Sequence, residues 1–327
     1  MKWCAPSQAI LPDFIIGGAM KSGTTTLHEI LNQHPDVFIA NNELHFFDMD
    51  NIVQHPDFNQ FKRGHWSSHN LEENSASYWQ WYSSQFADAK EGQLIGEDST
   101  TYLASESALR RIAVQSKQIK LVILLRHPTA RTYSQYWHMV RAGRAMFNFE
   151  DTLRLSPHSL LDRSAYLRQL NTLFRHIPRE QVRVVLFEEF LSDKVQVIKG
   201  LCEFLGLDFE RLPSTALDTH ANHSRIPRFV WLHLLKSRFF GNGVIKQYRN
   251  HFANNSVSQE DKKTFLAVIF KKLYSAINPL EYKKPAKICP DTQRFLDEYF
   301  YRELQGLNEL LGQNILSTWF DDVNSHK

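Results

Sequence analysis

Residues 18 to 26 read Gly-Ala-Met-Lys-Ser-Gly-Thr-Thr-Thr, a run of small and hydroxylated side chains around a single lysine, Lys21. The run follows the apolar stretch Phe14-Ile15-Ile16 and precedes Leu27, Ile30, Leu31 and His34, whose i, i+3, i+4, i+7 spacing predicts an amphipathic helix. A loop that enters a helix offers unpaired backbone N–H groups at a dipole end worth about half a charge, so Gly18 to Thr26 is a cradle for an anion such as phosphate. A second anion site is indicated further along. Arg126-His127-Pro128 closes another apolar run, Pro128 opens a helix, and Ser134 lies about two turns into it. A guanidinium fork and a hydroxyl converging from those positions suit a separate phosphate.

The spacing from Gly18 to Gly23 is that of the glycines in a nucleotide P-loop, but Thr24 stands where that motif demands lysine, and the lysine comes earlier, at Lys21. P-loop nucleotide hydrolases also keep a carboxylate near the end of a central strand to hold Mg²⁺. Here the best central strand, ending at Leu125, runs directly into Arg126. A cation has taken the place of the metal holder. A sulfuryl group carries less charge than a terminal phosphoryl group, so fixed Lys and Arg cations with backbone dipoles can neutralise its transfer without a divalent ion. The expectation is therefore a nucleotide site with no metal.

Short β-branched runs alternating with helical periods set the frame for these loops. The pattern predicts an α/β protein: a P-loop-like three-layer fold with a central parallel sheet flanked by helices, plus a helical C-terminal layer. Strands are expected at Phe14 to Ile16, Val37 to Ala40, Leu94 to Gly96, Ile119 to Leu125 and Val182 to Phe187, the fourth buried on both faces. Helices are expected at Ala130 to Arg141, Ser164 to His176, Val195 to Leu205, Gln259 to Ile277 and Thr292 to Leu311. Met49 to Gln93, rich in aromatic, His and Ser residues without clear period, is expected to be a long irregular excursion over the sheet edge. All 327 residues are expected to form a single domain, with a core at about 12–230 and a helical elaboration at about 231–327.

With 38 Lys and Arg against 35 Asp and Glu, the formal charge of +3 is too small to imply nucleic-acid binding, so any electrostatic function must be local. The segment Met1 to Leu11 has no apolar run long enough for a signal peptide, and apolar stretches such as Leu121 to Leu125 are too short to span a bilayer. Cys4, Cys202 and Cys289 are too widely spaced for a metal knuckle or a disulfide framework. A cytoplasmic protein is expected, although a piece of a membrane-anchored enzyme would carry the same composition. Lys262, Lys263, Lys271, Lys272, Lys283, Lys284 and Lys287 read as a solvated helix face, with an anionic acceptor or membrane surface as the functional alternative. Phe229, Trp231, Leu232, Leu234, Leu235, Phe239 and Phe240 read as core packing rather than an interfacial anchor.

Taken together, Lys21-Ser22-Gly23-Thr24-Thr25 and the Arg126-His127-Pro128 to Ser134 segment resemble the sulfotransferase family that uses 3′-phosphoadenosine 5′-phosphosulfate (PAPS). Asn42-Glu43-Leu44-His45-Phe46-Phe47-Asp48 is similar to the heparan-sulfate-type branch and its bacterial relatives. Looser similarity runs through Gly96-Glu97-Asp98-Ser99, Tyr166 and Phe204-Leu205-Gly206-Leu207, so that the resemblance covers roughly residues 12–230. It implies PAPS as sulfuryl donor, PAP as product and no metal. It implies that Lys21 contacts the 5′-phosphate and the leaving bridging oxygen, that Ser22, Gly23, Thr24, Thr25 and Thr26 bind the 5′-phosphate, and that Arg126 and Ser134 bind the 3′-phosphate. Asn222-His223-Ser224-Arg225 falls where the family closes over the nucleotide, making Arg225 a further 3′-phosphate candidate. Asp98 stands where heparan-type enzymes usually have Lys, which argues against a heavily sulfated polymer as acceptor.

Sulfuryl transfer to an alcohol is an in-line displacement that needs a base on one side of sulfur and a cation on the other. Glu43 matches the family's general base. His45 is the alternative, because an imidazole also titrates near neutral pH. His127 reads as a supporting residue, and Glu188 with Glu189 as helix-start charges. The implied function is transfer of a sulfuryl group to a hydroxyl or amine, with a carbohydrate or glycolipid as partner. The competing readings are a P-loop kinase acting on a small molecule and a nucleotide-binding protein without catalysis.

Overall fold

The computed structural model describes residues 3–62, 64–71, 74–219, 225–240 and 272–321. Its strands are β1 (Phe14–Gly18), β2 (Val37–Ile39), β3 (Gln60–Lys62), β4 (His65–Ser67), β5 (Leu94–Asp98), β6 (Lys120–Leu125), β7 (Val182–Leu186), β8 (Arg225–Pro227) and β9 (Leu280–Tyr282). Its first ten helices are α1 (Thr24–Leu31), α2 (Ser75–Ser84), α3 (Glu106–Ala113), α4 (Pro128–Arg141), α5 (Phe149–Leu155), α6 (His158–Leu161), α7 (Tyr166–His176), α8 (Phe187–Ser192), α9 (Lys194–Leu205) and α10 (Val230–Phe240). Five strands form one parallel sheet in the order β2-β5-β1-β6-β7.

Strand β6 shows why the sheet is covered on both sides. Leu121, Ile123 and Leu125 join one buried cluster while Val122 and Leu124 join the other, as the two-residue period of a strand dictates. Beneath one face pack Leu27, Ile30 and Leu31 of α1 with Ile198, Leu201, Cys202 and Leu205 of α9. Against the other face pack α3, α7, aromatic residues of the segment between β2 and β5, and the C-terminal helices; this cluster runs from Leu11 to Phe320. These are the three layers expected, and the five strands lie within a few residues of their sequence positions.

From β1 the chain runs out to β2 at one edge, returns through β5 beside β1, and then crosses to β6 on the opposite side. Ile16 is level with Asp98 on one neighbour and Val122 on the other, so the carboxyl ends of β5, β1 and β6 lie side by side. Open α/β sheets bind ligands where strand order reverses in this way.

The excursion after Met49 is more ordered than its composition suggests. It contains a β3–β4 hairpin and the ten-residue helix α2, and it places Phe58, Leu71, Trp79, Tyr82 and Phe86 in the core. Its aromatic residues make a packed cluster, with Phe46 stacked on Tyr82 at 4.3 Å between ring centroids. The helix expected from Thr292 to Leu311 is two helices, Pro290–Glu303 and Leu307–Leu311, separated at Gly306 with φ 97. The helix expected from Gln259 lies outside the described residues up to 271; residues 272–277 are helical. Lys283, Lys284 and Lys287 are exposed but follow β9 in extended chain, so they do not form a helix face, while Lys262, Lys263 and Lys271 lie outside the described residues. Core packing for the Phe229–Phe240 stretch is also corrected: Phe229, Trp231, Leu235 and Phe239 are exposed, whereas Val230 and Leu234 pack against the main core. Among the described residues no helix is long and apolar enough to cross a membrane.

Candidate active site

Two glycines shape the loop after β1. Gly18 has φ 145, and a Cβ there would stand 2.9 Å from Leu103 Cβ. Gly23 precedes α1 with φ 92, and a Cβ there would stand 2.7 Å from the Phe187 ring. Gly23 has no side chain to cap α1, so the first amides of that helix keep their donors for another acceptor. Ser22 is buried, and its Oγ faces Tyr166 without a well-formed hydrogen bond to any described residue.

Between those glycines Lys21 adopts a left-handed backbone, φ 72. The Arg126 guanidinium at the end of β6 donates to the Lys21 carbonyl at 3.1 Å and lies over the Phe187 ring at 4.9 Å, tying the two predicted anion segments together. Burial pulls the Lys21 ammonium down to about pKa 8, and the positive fields of Arg141 and Arg126 act in the same direction. Arg131, wholly buried, donates to Ser164 Oγ and to the Leu160 carbonyl; burial lowers its pKa to about 10. Among the described residues, none of Lys21, Arg126, Arg131 and Arg141 forms an ion pair with a carboxylate. Cations gathered without acids make a region of positive potential in which an entering anion is strongly favoured.

Ser134 lies midway along α4, half-buried, and its hydroxyl makes no hydrogen bond to a described residue. His138 and Arg141 stand four and seven residues further on, sharing its helix face. Burial drives the His138 imidazole down to about pKa 3, helped by Lys21 and Arg141 and opposed by Glu43. That face therefore looks onto the space shared by Lys21 and Glu43. His138 and Arg141 were missed in the sequence, although their i+4 and i+7 spacing from Ser134 is a signal that could have found them.

Glu43 and His45 form the opposite wall. Glu43 Oε1 accepts from the Thr100 hydroxyl at 3.0 Å, and Oε2 lies 3.1 Å from His45 Nε2. The Glu43 side chain is 35% exposed and that of His45 only 1%, so the carboxylate reaches solvent with the imidazole behind it. Burial opposes ionisation of both, but their mutual contact wins, holding Glu43 below the usual carboxylate range and His45 above the usual imidazole range. His45 is left-handed at φ 51, and it and Lys21 are the only non-glycine residues with positive φ among those described. Such conformations cost about 1–3 kcal/mol each and persist only where the surroundings over-determine them.

A buried network stands behind His45. Its Nδ1 lies 3.2 Å from Thr101 Oγ1, which lies 3.3 Å from His55 Nε2, and His55 Nε2 lies 2.7 Å from Asp48 Oδ1. His45, Asp48 and His55 bring ligand-type atoms within 4.8 Å of one another, with His55 bonded to Asp48 directly and His45 joined to them through Thr101. His55 sits in the segment read as irregular, and nothing in its local sequence marks it. Beside Glu43, Asp98 is buried 3.5 Å from His28; burial and the neighbouring Glu43 charge push its carboxyl up to about pKa 6.

The remaining candidates are placed differently. Arg225 is exposed at the start of β8 and is engaged by Tyr282, whose hydroxyl accepts from it and whose ring lies 4.3 Å beneath it. Strand β8, which Arg225 begins, packs against α4, the helix that carries Ser134, and Asn222, His223 and Ser224 lie outside the described residues. His127 anchors the C-terminal layer, with Nε2 2.7 Å from the Trp319 carbonyl. Glu188 and Glu189 do start α8, but Glu188 also accepts from the His127 amide at 2.9 Å and the Trp319 indole at 3.0 Å, bracing the end of β6.

A sequence model described as the sulfotransferase family matches residues 12–211. The chain is 30% identical over 205 residues to heparan sulfate glucosamine 3-O-sulfotransferase 3A1 of Mus musculus, covering 60% of this chain and 46% of that protein. It is 28% identical over 209 residues to heparan sulfate glucosamine 3-O-sulfotransferase 5 of Mus musculus, covering 60% and 54%. The chain thus spans about half the length of the curated relatives it matches. A crystal structure of a sulfotransferase from Alicyclobacillus acidocaldarius superposes with a TM-score of 0.62 at 24% identity, covering 95% of this chain and 99% of that one, which shows a shared fold.

Proposed function

The chain belongs to the sulfotransferase family, and from that premise we propose that it transfers a sulfuryl group from PAPS to a hydroxyl or amine of a carbohydrate or glycolipid acceptor, by in-line displacement without a metal. The observation that carries this reading is the pairing of opposites across one cleft. A cation, Lys21, and a partly exposed carboxylate, Glu43, lie close enough for the carboxylate's charge to act on the lysine, and Lys21 and His45, two residues after Glu43, both hold a left-handed backbone. The uncapped start of α1, with Lys21 and Arg126 in no ion pair among the described residues, fits an adenosine bisphosphate with phosphates at two positions.

In this mechanism Glu43, ionised and open to the cleft, takes the proton of the acceptor hydroxyl as the new oxygen–sulfur bond forms. His45, out of reach of solvent, holds Glu43 in place. Lys21 neutralises the charge that grows on the phosphate oxygen as its bond to sulfur breaks, so proton and charge leave on opposite sides. Ser22 to Thr26 hold the 5′-phosphate through backbone and hydroxyl donors, and Arg126 with Ser134 holds the 3′-phosphate. We read the 327 residues as one domain because a single core cluster reaches from Leu11 to Phe320. Three free cysteines fit a reducing, cytoplasmic setting.

The test is a transfer assay with sulfur-labelled PAPS against glucosamine-containing oligosaccharides, with and without prior sulfation, and against glycolipids, each run with and without a chelator. Label in a carbohydrate fraction, insensitive to chelator, is the expected result. Activity that needs Mg²⁺ and moves phosphate instead would favour the kinase reading. Stabilisation by PAP without transfer to any acceptor would favour a protein that only binds nucleotide.

A further inference from the structure

Glu97, next to last in β5, is completely buried, and no cation is paired with it among the described residues. Hydroxyls surround it instead. Oε1 accepts from Ser99 Oγ at 2.7 Å and from Tyr102 Oη at 2.6 Å, and Oε2 accepts from Tyr82 Oη. Burial pushes the Glu97 carboxyl pKa upward, against the pull of these three donors.

Each hydroxyl has one proton to give. Ser99 and Tyr102 commit theirs to Glu97, which turns their oxygen lone pairs toward other donors, and each oxygen then accepts one backbone N–H. Ser99 Oγ accepts from the His45 amide at 2.9 Å, and Tyr102 Oη accepts from the Phe47 amide at 3.1 Å. Both amides belong to the buried turn that carries His45 in its left-handed conformation, two residues after Glu43. Left unpaired, they would each carry the cost of a buried donor, and the strained turn would lose the contacts that over-determine it. Tyr82 differs from its two partners because it bonds Glu97 without touching either amide.

We infer that Glu97 is a positioning residue for the base: by fixing the hydroxyl direction of Ser99 and Tyr102 it holds the amides of His45 and Phe47, and so keeps Glu43 facing Lys21. This rests on the transfer reaction proposed above for its kinetic readout alone. Nothing in the mechanism of proton removal needs Glu97 to touch a substrate, and its burial keeps it away from one.

Ser99→Ala and Tyr102→Phe each delete one amide acceptor, whereas Tyr82→Phe deletes a bond to Glu97 and leaves both amides paired. Hydrogen exchange across residues 43–48, kcat and acceptor KM, and the thermal shift with PAP are measured for all three. The expected result is that Ser99→Ala and Tyr102→Phe speed exchange in that segment and lower kcat by about tenfold or more, with KM and the PAP shift nearly unchanged. Tyr82→Phe keeps the exchange pattern and a kcat within about twofold of the parent. Glu97→Gln, whose amide oxygen can still face Ser99 and Tyr102, retains more activity than Glu97→Leu. The inference is overturned if Tyr82→Phe is as damaging to kcat as Tyr102→Phe, or if exchange across 43–48 is unchanged in Ser99→Ala and Tyr102→Phe. A parent chain that sulfates no acceptor would defeat the proposed function, while the exchange comparison would still decide the role of Glu97.

Discussion

The Lys21 wall and the Glu43 wall of the cleft are held together in opposite ways. On the Lys21 side, the lysine is buried and the positive charges of Arg141 and Arg126 approach it without an ion-paired acid among the described residues, so it loses proton affinity. On the Glu43 side, charge is matched locally: carboxylate against imidazole, imidazole against threonine, and a second imidazole against Asp48. The first wall improves only when an anion arrives, so its electrostatics serve binding. The second wall pairs Glu43 with His45 and His55 with Asp48 within the protein alone, so in the proposed mechanism its electrostatics keep a base in place. A buried charge is costly without a partner, and this cleft meets that cost internally on one side and leaves it to a ligand on the other.

The sharpest way to test the contrast is to remove one charge from each wall. Glu43→Gln should lower kcat by about 10²–10⁴, the usual worth of a positioned general base, while the thermal shift produced by PAP stays at its parental size. A PAP shift that collapses with kcat would mean the walls are not separate. Lys21→Met should lower kcat by about 10²–10³ and shrink the PAP shift as well, because the same cation binds the nucleotide and stabilises the leaving oxygen. Without nucleotide, that variant should melt at or above the parent's temperature, since it relieves a cation crowded by Arg126 and Arg141. A lower melting temperature for unliganded Lys21→Met would contradict the account of that wall.

The same contrast governs what was legible in the sequence. The Lys21 wall is built from a strand, the loop that follows it and the helix that follows the loop, so Lys21, Gly23, Arg126 and Ser134 are visible as local motifs. The sheet was legible for the same reason, because continuous apolar runs such as Leu121 to Leu125 have few ways to be buried. The Glu43 wall is assembled across more than fifty residues, from Glu43 and His45 to Thr100 and Thr101, and through His55 inside a segment with no clear period. The motif showed Glu43 and His45, but which of them faces the cleft depends on packing by Phe46, Phe47, Trp79 and Tyr82, which no local pattern encodes. Arg225 shows a related limit: a position in chain order does not reveal that Tyr282 will engage its guanidinium.

A smaller effect separates binding from folding within the Lys21 wall. Because the Ser134 hydroxyl bonds to no described residue, Ser134→Ala should leave unliganded stability within about 0.5 kcal/mol of the parent. If that hydroxyl meets the 3′-phosphate, the same change should weaken PAP by about tenfold, consistent with one hydrogen bond to a charged group. Isothermal titration of PAP with unchanged melting of the free protein would confirm it; equal affinity would remove Ser134 from the site.

The smallest effect is a pH dependence whose two halves run in opposite directions. Lys21 titrates at about 8 in the folded, unliganded protein, against 10.5 for an unperturbed lysine. Between those values the unfolded chain binds more protons at this position than the folded one, so the Lys21 contribution to unliganded stability improves as pH rises through about 8 toward 10.5. Nucleotide binding has the reverse sign. It needs the ammonium, and the phosphates of PAP are fully ionised above about pH 7, so affinity should fall as pH climbs past 8, by at most about tenfold per unit for one linked proton. Measured against Lys21→Met to cancel every other group, the free parent should gain on the variant in melting temperature from pH 7 to 10 while its extra PAP affinity shrinks. Two curves that instead moved together would show that the Lys21 ammonium is not destabilised in the free protein.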